Sequence, residues 1–278
     1  MYRLVFVVCH PDDEALWVGG LLHALSKFSF LEISVICLSG HDANSPREEE
    51  FNAAKKIVGY HKGIVLGGRL RPANTPLPSI ANTLEEGLQK IDLKKEDISL
   101  LITHSPYGDE HLNPHHIQAY NELLHWSQEH KIPFGFFSCL LLPYLTHTSL
   151  LKNLKRLGNL HLLSFSLCKP FFSFLKTLVN KFVNLYKCQP KYYLLFNTDL
   201  ETKKKMVDCY KSIDIEMHQK GYGMVTNSCE GLYIFDNEGL KLFQEIMNAM
   251  DIPGPKDLFQ AVSLRGSLKS MLFFWEKS

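Results

Sequence analysis

The sequence predicts an α/β fold, a Rossmann-like parallel sheet with helices on both faces, plus a helical insertion near the C-terminal half. Three observations predict it. Short apolar runs at 4–8, 33–38, 98–103 and 134–142 alternate with helical patterns, the order of a parallel sheet wound by helices. The first run, Leu4-Val5-Phe6-Val7-Val8, is continuously apolar, as suits a strand buried on both faces. Polar residues capable of chemistry follow the first and third runs directly, where ligands collect in open α/β sheets.

Each element follows in order. After the strand at 4–8, Leu16, Leu21, Leu22 and Leu25 space a helix over 15–27, in which Gly19 and Gly20 allow close approach to the sheet. The strand at 33–38 leads into a loop carrying His41 and Asp42, a surface loop or one wall of a substrate pocket. A helix at 47–58, a short strand at 63–66, a proline-rich loop at 69–79 and a helix at 83–90 precede the strand at 98–103. A helix over 115–129 presents His116, Tyr120 and Leu123 toward the sheet. Strands at 134–142, 192–196 and 231–235, helices at 199–219 and 237–250, and an apolar tail at 267–275 complete the chain. No internal repeat is visible.

Composition bounds the functions. The 278 residues, 45% hydrophobic and 21% charged, suffice for one large domain spanning 1–278 with an insertion at about 145–191. A formal net charge of +1 argues against nucleic acid as a partner. Seven cysteines without paired spacing fit free thiols in a reducing compartment. The N-terminal apolar run is too short for a signal peptide, so the expected location is cytoplasmic.

The stretch Val8-Cys9-His10-Pro11-Asp12-Asp13-Glu14 carries the chemistry. A histidine nitrogen and a carboxylate oxygen are ordinary zinc ligands, so His10 and Asp13 are expected to share one ion, given a third ligand and an open position. Adjacent Asp12 and Asp13 cannot aim the same way, which leaves one of them to face a water. The competing interpretation makes Asp12 a helix cap and His10 a polar strand end. Cys9 alternates away from His10 and is expected off the metal. A second polar stretch follows the strand at 98–103: His104, then Tyr107, with His111, His115 and His116 close behind.

These two stretches together resemble the PIG-L/LmbE family of zinc-dependent N-deacetylases, and the helix beginning Pro46-Arg47-Glu48-Glu49-Glu50 is similar to the family's Arg-x-x-Glu helix. The resemblance covers about residues 1–140, and 192–235 more faintly. It implies one Zn2+ per chain held by His10, Asp13 and His116, with Asp12 as general base. The family has a second histidine three residues before its last ligand; here that place is Asn113. The acid role therefore passes to His111 or His115, with His115 expected to point away, or Asn113 hydrogen-bonds the substrate oxygen while another group protonates the amine. Tyr107 is a further candidate for the same oxygen. Arg47, His41, Asp42 and Asn113 are the candidates for holding substrate. The resemblance implies hydrolysis of an N-acetyl group on an N-acetylhexosamine, in a sugar or glycan.

One feature lies outside that resemblance. Between His130 and Thr198 there is no Asp or Glu, while nine Lys and Arg residues occur there, from Lys131 to Lys191. Within it Phe171, Phe174, Leu175, Leu178, Phe182 and Leu185 recur at helical spacing against Lys176, Lys181 and Lys187. Such a helix suits either a packed insertion or an anionic membrane interface, and it is too short in apolar length for the roughly 20 residues of a span. Peripheral contact with the inner face of a membrane, or a lipid-linked glycan, is the expectation it raises. A non-catalytic member binding glycan or lipid phosphate is the alternative function. A phosphoesterase is a third, less suited because it favours two metals and more carboxylates.

Overall fold

The computed structural model describes residues 1–40, 45–68, 72, 75–106, 108, 113–138, 192–197, 199–213, 229–236, 238–239, 241–242 and 245. Seven strands form one sheet: β1 (Tyr2–Val8), β2 (Leu31–Cys37), β3 (Lys62–Val65), β4 (Leu100–Thr103), β5 (Phe134–Ser138), β6 (Tyr192–Asn197) and β7 (Cys229–Ile234). The order is β3-β2-β1-β4-β5-β7-β6, and the first five strands are parallel. The expectation of a parallel sheet needs one correction: β7 runs antiparallel to both β5 and β6. β6 takes the edge of the sheet, and β7, reached after the helix that follows β6, fills the place between β5 and β6 in the reverse direction.

Among the described residues the α-helices are α1 (Asp13–Leu25), α2 (Arg47–Val58), α3 (Ile80–Lys90), α4 (Pro114–His130) and α5 (Leu200–Val207). Alternation along β1 sends Leu4, Phe6 and Val8 into one apolar layer with α1, Phe51 and Ala54 of α2, and Met206 and Val207 of α5. On the opposite face, a Cβ at Gly87 of α3 would lie 2.8 Å from Ile36 of β2 and 2.7 Å from Leu66, so α3 packs close because Gly87 has no side chain. Helices therefore cover both faces, and β1 is buried from Leu4 to Val8.

One expected helix is shorter than its pattern. The 199–219 helix ends at Val207, and Asp208 caps it by donating its backbone N–H to the Lys204 carbonyl. Residues 208–213 then run outside any helix, and 214–220 lie beyond the described residues. The stretch Asp208 to Ser212 is drawn off the helix by side-chain contacts with α1 and α2, described below. The chain divides into two units, 1–139 with 190–278, and 140–189. The second unit, which holds the expected basic helix, lies outside the described residues, as does the tail at 267–275. Among the described residues no helix is long and apolar enough to cross a membrane.

Candidate metal centre

From β1 the chain passes to β2 and β3 on one side, and β4 and β5 lie on the other, so the topological switch falls between β1 and β4. The loops leaving the carboxyl ends of these two strands meet there. His10 and Asp12 come from the β1 loop, Asp13 opens α1, His104 follows β4, and His115 and His116 occupy the first turn of α4. Asn113 fixes that turn: its side-chain oxygen accepts the His115 backbone N–H at 3.0 Å, with Pro114 in the first helical position. Gly108, at φ 65°, lets the preceding loop close, because a Cβ there would lie 2.5 Å from the Asn113 carbonyl.

Three donors converge. His10 Nδ1 lies 3.3 Å from Asp13 Oδ2, His116 Nε2 lies 3.2 Å from the same oxygen, and the two ring nitrogens are 3.3 Å apart. Zinc bonds of about 2.0–2.2 Å in tetrahedral geometry separate neighbouring ligand atoms by roughly 3.3–3.5 Å. The triangle therefore matches one face of a zinc tetrahedron, leaving the fourth corner for an exogenous ligand. The chemistry of the donor set fits as well. Asp12 and Asp13 carry two buried carboxylates, for which Arg47 supplies one cation, and a cation near Asp13 would compensate the second charge.

The histidine tautomers agree with this use. His115 Nε2 lies 2.8 Å from the Thr75 carbonyl, an acceptor, so it carries the hydrogen and donates. His115 Nδ1 is then an acceptor and takes the hydrogen of His10 Nε2, 2.9 Å away. His10 Nδ1 keeps its lone pair and faces Asp13 and His116. Burial lowers the His115 pKa, against the Thr75 carbonyl, and the nearby His10 and His116 lower it further, which keeps the ring neutral as this relay requires. The expectation that His115 points away is thus corrected: its side chain turns inward, with ring centroids 5.2 Å from His10. The first turn of α4 leans over the β1 loop, so two successive residues both reach it.

Burial would raise the Asp13 pKa, but His116, His104 and His10 around it hold the carboxyl well below its ordinary value, so it stays ionised. Its other oxygen accepts the Trp17 ring N–H at 3.3 Å. Asp12 is pushed the other way, by burial and by the adjacent Asp13 charge, against Arg47 and His10. Its carboxylate makes no helix-capping bond; Arg47 Nη1 donates to it at 2.9 Å and to the Pro11 carbonyl at 2.7 Å. Arg47, a candidate for holding substrate, therefore lies against Asp12.

His104, which opens the second polar stretch and was given no role there, stands beside the three candidate ligands. Its ring stacks on His116 with centroids 3.7 Å apart, and its Nε2 accepts the Cys9 backbone N–H at 3.1 Å. The available signal was the same as for His10, a histidine directly after an apolar strand. Cys9 also lies nearer than expected: Cys9, His104 and His116 form a second group of donors within 4.8 Å of one another. There the Cys9 thiol donates to the His115 carbonyl at 3.3 Å and His104 Nε2 is engaged with backbone, so the His10, Asp13 and His116 group fits an ion better. Tyr107, His111, His41 and Asp42 lie outside the described residues.

No family model matches the chain, and no curated protein matches it in sequence. Solved structures similar to it include a deacetylase triple mutant of the teicoplanin biosynthetic pathway, at 14% identity over 84% of this chain and 97% of that one, with a TM-score of 0.49. Another is the 4-carboxy-2-hydroxymuconate hydratase GalB of Pseudomonas putida KT2440, at 12% identity over 85% of this chain and 97% of that one, TM-score 0.39. A third is the N,N'-diacetylchitobiose deacetylase of Pyrococcus horikoshii, at 21% identity over 44% of this chain and 48% of that one, TM-score 0.34. The teicoplanin-pathway and diacetylchitobiose proteins are both named as deacetylases.

Proposed function

We propose that this protein is a zinc-dependent N-deacetylase of the PIG-L/LmbE type, hydrolysing the N-acetyl group of an N-acetylhexosamine in a sugar or glycan. The observation that carries the reading is the triangle of His10 Nδ1, Asp13 Oδ2 and His116 Nε2, with edges of 3.2–3.3 Å. One Zn2+ per chain suits that donor set, and when bound it supplies Lewis acidity for the acetyl carbonyl.

The chain's own residues do the rest. Asp12 accepts a proton from the attacking water as the new carbon–oxygen bond forms, and Arg47 keeps its carboxylate ionised and aimed. Both ring nitrogens of His115 are engaged, so this side chain orients His10 rather than donating to substrate. We therefore read His111 as the acid, which protonates the amine nitrogen as the carbon–nitrogen bond breaks and acetate departs. Tyr107 is the candidate donor to the carbonyl oxygen as it gains charge. Asn113 caps α4, which accounts for its side chain without a role toward substrate. A lipid-linked carrier, with the basic segment against an anionic membrane, is the finer reading that the acid-free composition supports.

A second reading, a glycan or lipid-phosphate binding protein without catalysis, is favoured by Asn113 standing where the family has its histidine. The test is hydrolysis of N-acetylglucosamine compounds followed for both products. Acetate and free amine in equal amounts support the deacetylase; tight sugar binding with neither product supports the binder.

A further inference from the structure

Asp12 has φ 141° and ψ −26°, a left-handed backbone conformation that a residue with a side chain rarely adopts. Such a conformation persists when its surroundings over-determine it. Two arms do so here. One arm reaches the side chain: Arg47 of α2 donates to Asp12 Oδ2. The other reaches the backbone: the Asp12 N–H donates to Glu14 Oε2 at 3.2 Å, and the Tyr210 hydroxyl donates to Glu14 Oε1. Glu14 and Tyr210 are both fully buried, so water does not compete for these bonds.

The two arms are joined. One turn after Arg47 on the same helix, Glu50 accepts from the Ser212 backbone N–H at 2.8 Å and the Ser212 hydroxyl at 2.5 Å. Tyr210, which holds Glu14, lies just two positions before Ser212, which holds the helix bearing Arg47. Asp12, Arg47, Glu50, Ser212, Tyr210 and Glu14 form a closed circuit. It closes because α5 stops at Val207, which frees Tyr210 and Ser212 to turn toward α1 and α2.

We propose that Tyr210 and Ser212 are positioning residues for Asp12, and that residues 210–212, distant in sequence, set where the base of the reaction sits. This rests on the reading of Asp12 as general base. A displacement of the order of an ångström at a reacting group costs up to about 100-fold in rate. Tyr210→Phe and Ser212→Ala should each lower kcat by roughly 10- to 100-fold, with KM and Zn2+ occupancy unchanged. Ser212→Thr, which keeps a hydroxyl, should recover most of the loss. Because both residues act through one circuit, the double variant should lose less than the product of the single losses.

The crystal structure of Tyr210→Phe gives a readout independent of turnover: Asp12 should leave its positive φ or part from Arg47. Unchanged kcat in both variants, or a fall accompanied by loss of metal or by higher KM, overturns the proposal while the deacetylase reading stands. If the unaltered protein releases no acetate, that reading falls instead, and the Asp12 conformation in the variant alone decides the proposal: Asp12 unmoved overturns it.

Discussion

Asp12 and Asp13 are neighbours in sequence and opposites in environment. Asp13 sits among three imidazoles and stays ionised, whereas Asp12 is raised by burial and by Asp13 and depends on Arg47 for its charge. Asp13→Ala and His116→Ala should therefore lose Zn2+, measured as metal per chain after dialysis. His115→Ala, which removes the acceptor for His10 Nε2, should weaken metal binding by roughly 10- to 100-fold. His111→Ala should keep its metal and lose rate by about 10²- to 10⁴-fold. A zinc-loaded, inactive His115→Ala protein beside an unaffected His111→Ala protein would reverse those two assignments. Glu14 gives a pH prediction. Burial, opposed by the Tyr210 hydrogen bond and aided by the Asp12 charge, lifts its pKa from 4.5 to about 8. The folded protein thus keeps a proton that the unfolded chain releases above 4.5. The associated stability is whole below that value and is lost as pH rises through about 8. Between about pH 5 and pH 9 the unfolding midpoint of metal-free protein should fall, and fall less in Glu14→Gln, which has no proton to lose. Parallel slopes for the two proteins would contradict this. The candidate set of His10, Asp13 and His116 was legible from a histidine and paired carboxylates directly after a strand, and from the resemblance that points to His116. Glu14, His104 and Tyr210 were not, because their roles depend on contacts between segments far apart in sequence.

At the level of elements, the apolar pattern located every described α-helix and strand named above, missing only the short 3-10 turn Lys95–Asp97, and its other errors lie at ends. The helix after 199 shows why. Its pattern continues past Val207, but Tyr210 and Ser212 find buried carboxylates on α1 and α2, and those contacts override the local preference. A second tie joins the same elements. Lys203 of α5 and Glu230 of β7 are both fully buried and bond at 2.8 Å, and Glu230 also accepts the backbone N–H groups of Gly20 and Leu21 within α1. Removing one partner of such a pair leaves a buried charge uncompensated. Lys203→Met should cost about 3–5 kcal/mol, read from urea unfolding. The same substitution costing nothing would mean that the two amides suffice for Glu230. Gly87→Ala should also destabilise, by roughly 1–3 kcal/mol, because its new methyl would meet Ile36 and Leu66.

For the whole molecule, strand order places the switch between β1 and β4, and both stretches singled out in the sequence leave the sheet there. Sequence pattern showed alternation of strands and helices, which is enough for a wound sheet. It did not show that β7 returns antiparallel between β5 and β6, since pairing direction depends on contacts between segments far apart in the chain. The acid-free segment carries its own test. If it holds the protein to an anionic surface, sedimentation with phosphatidylserine vesicles should weaken with salt, given a Debye length of about 8 Å at physiological strength. Lys176, Lys181 and Lys187 changed together to Gln should release the protein without affecting zinc content. Binding indifferent to both would leave the segment a packed insertion. The central claim, one ion in a three-residue site beside a separate base, is tested most directly by comparing acetate release by the unaltered protein and by Asp12→Asn at equal metal content. One Zn2+ is expected in each, with acetate released from an N-acetylhexosamine compound by the first and nearly none by the second. Equal release by both, or loss of zinc from Asp12→Asn, would contradict it.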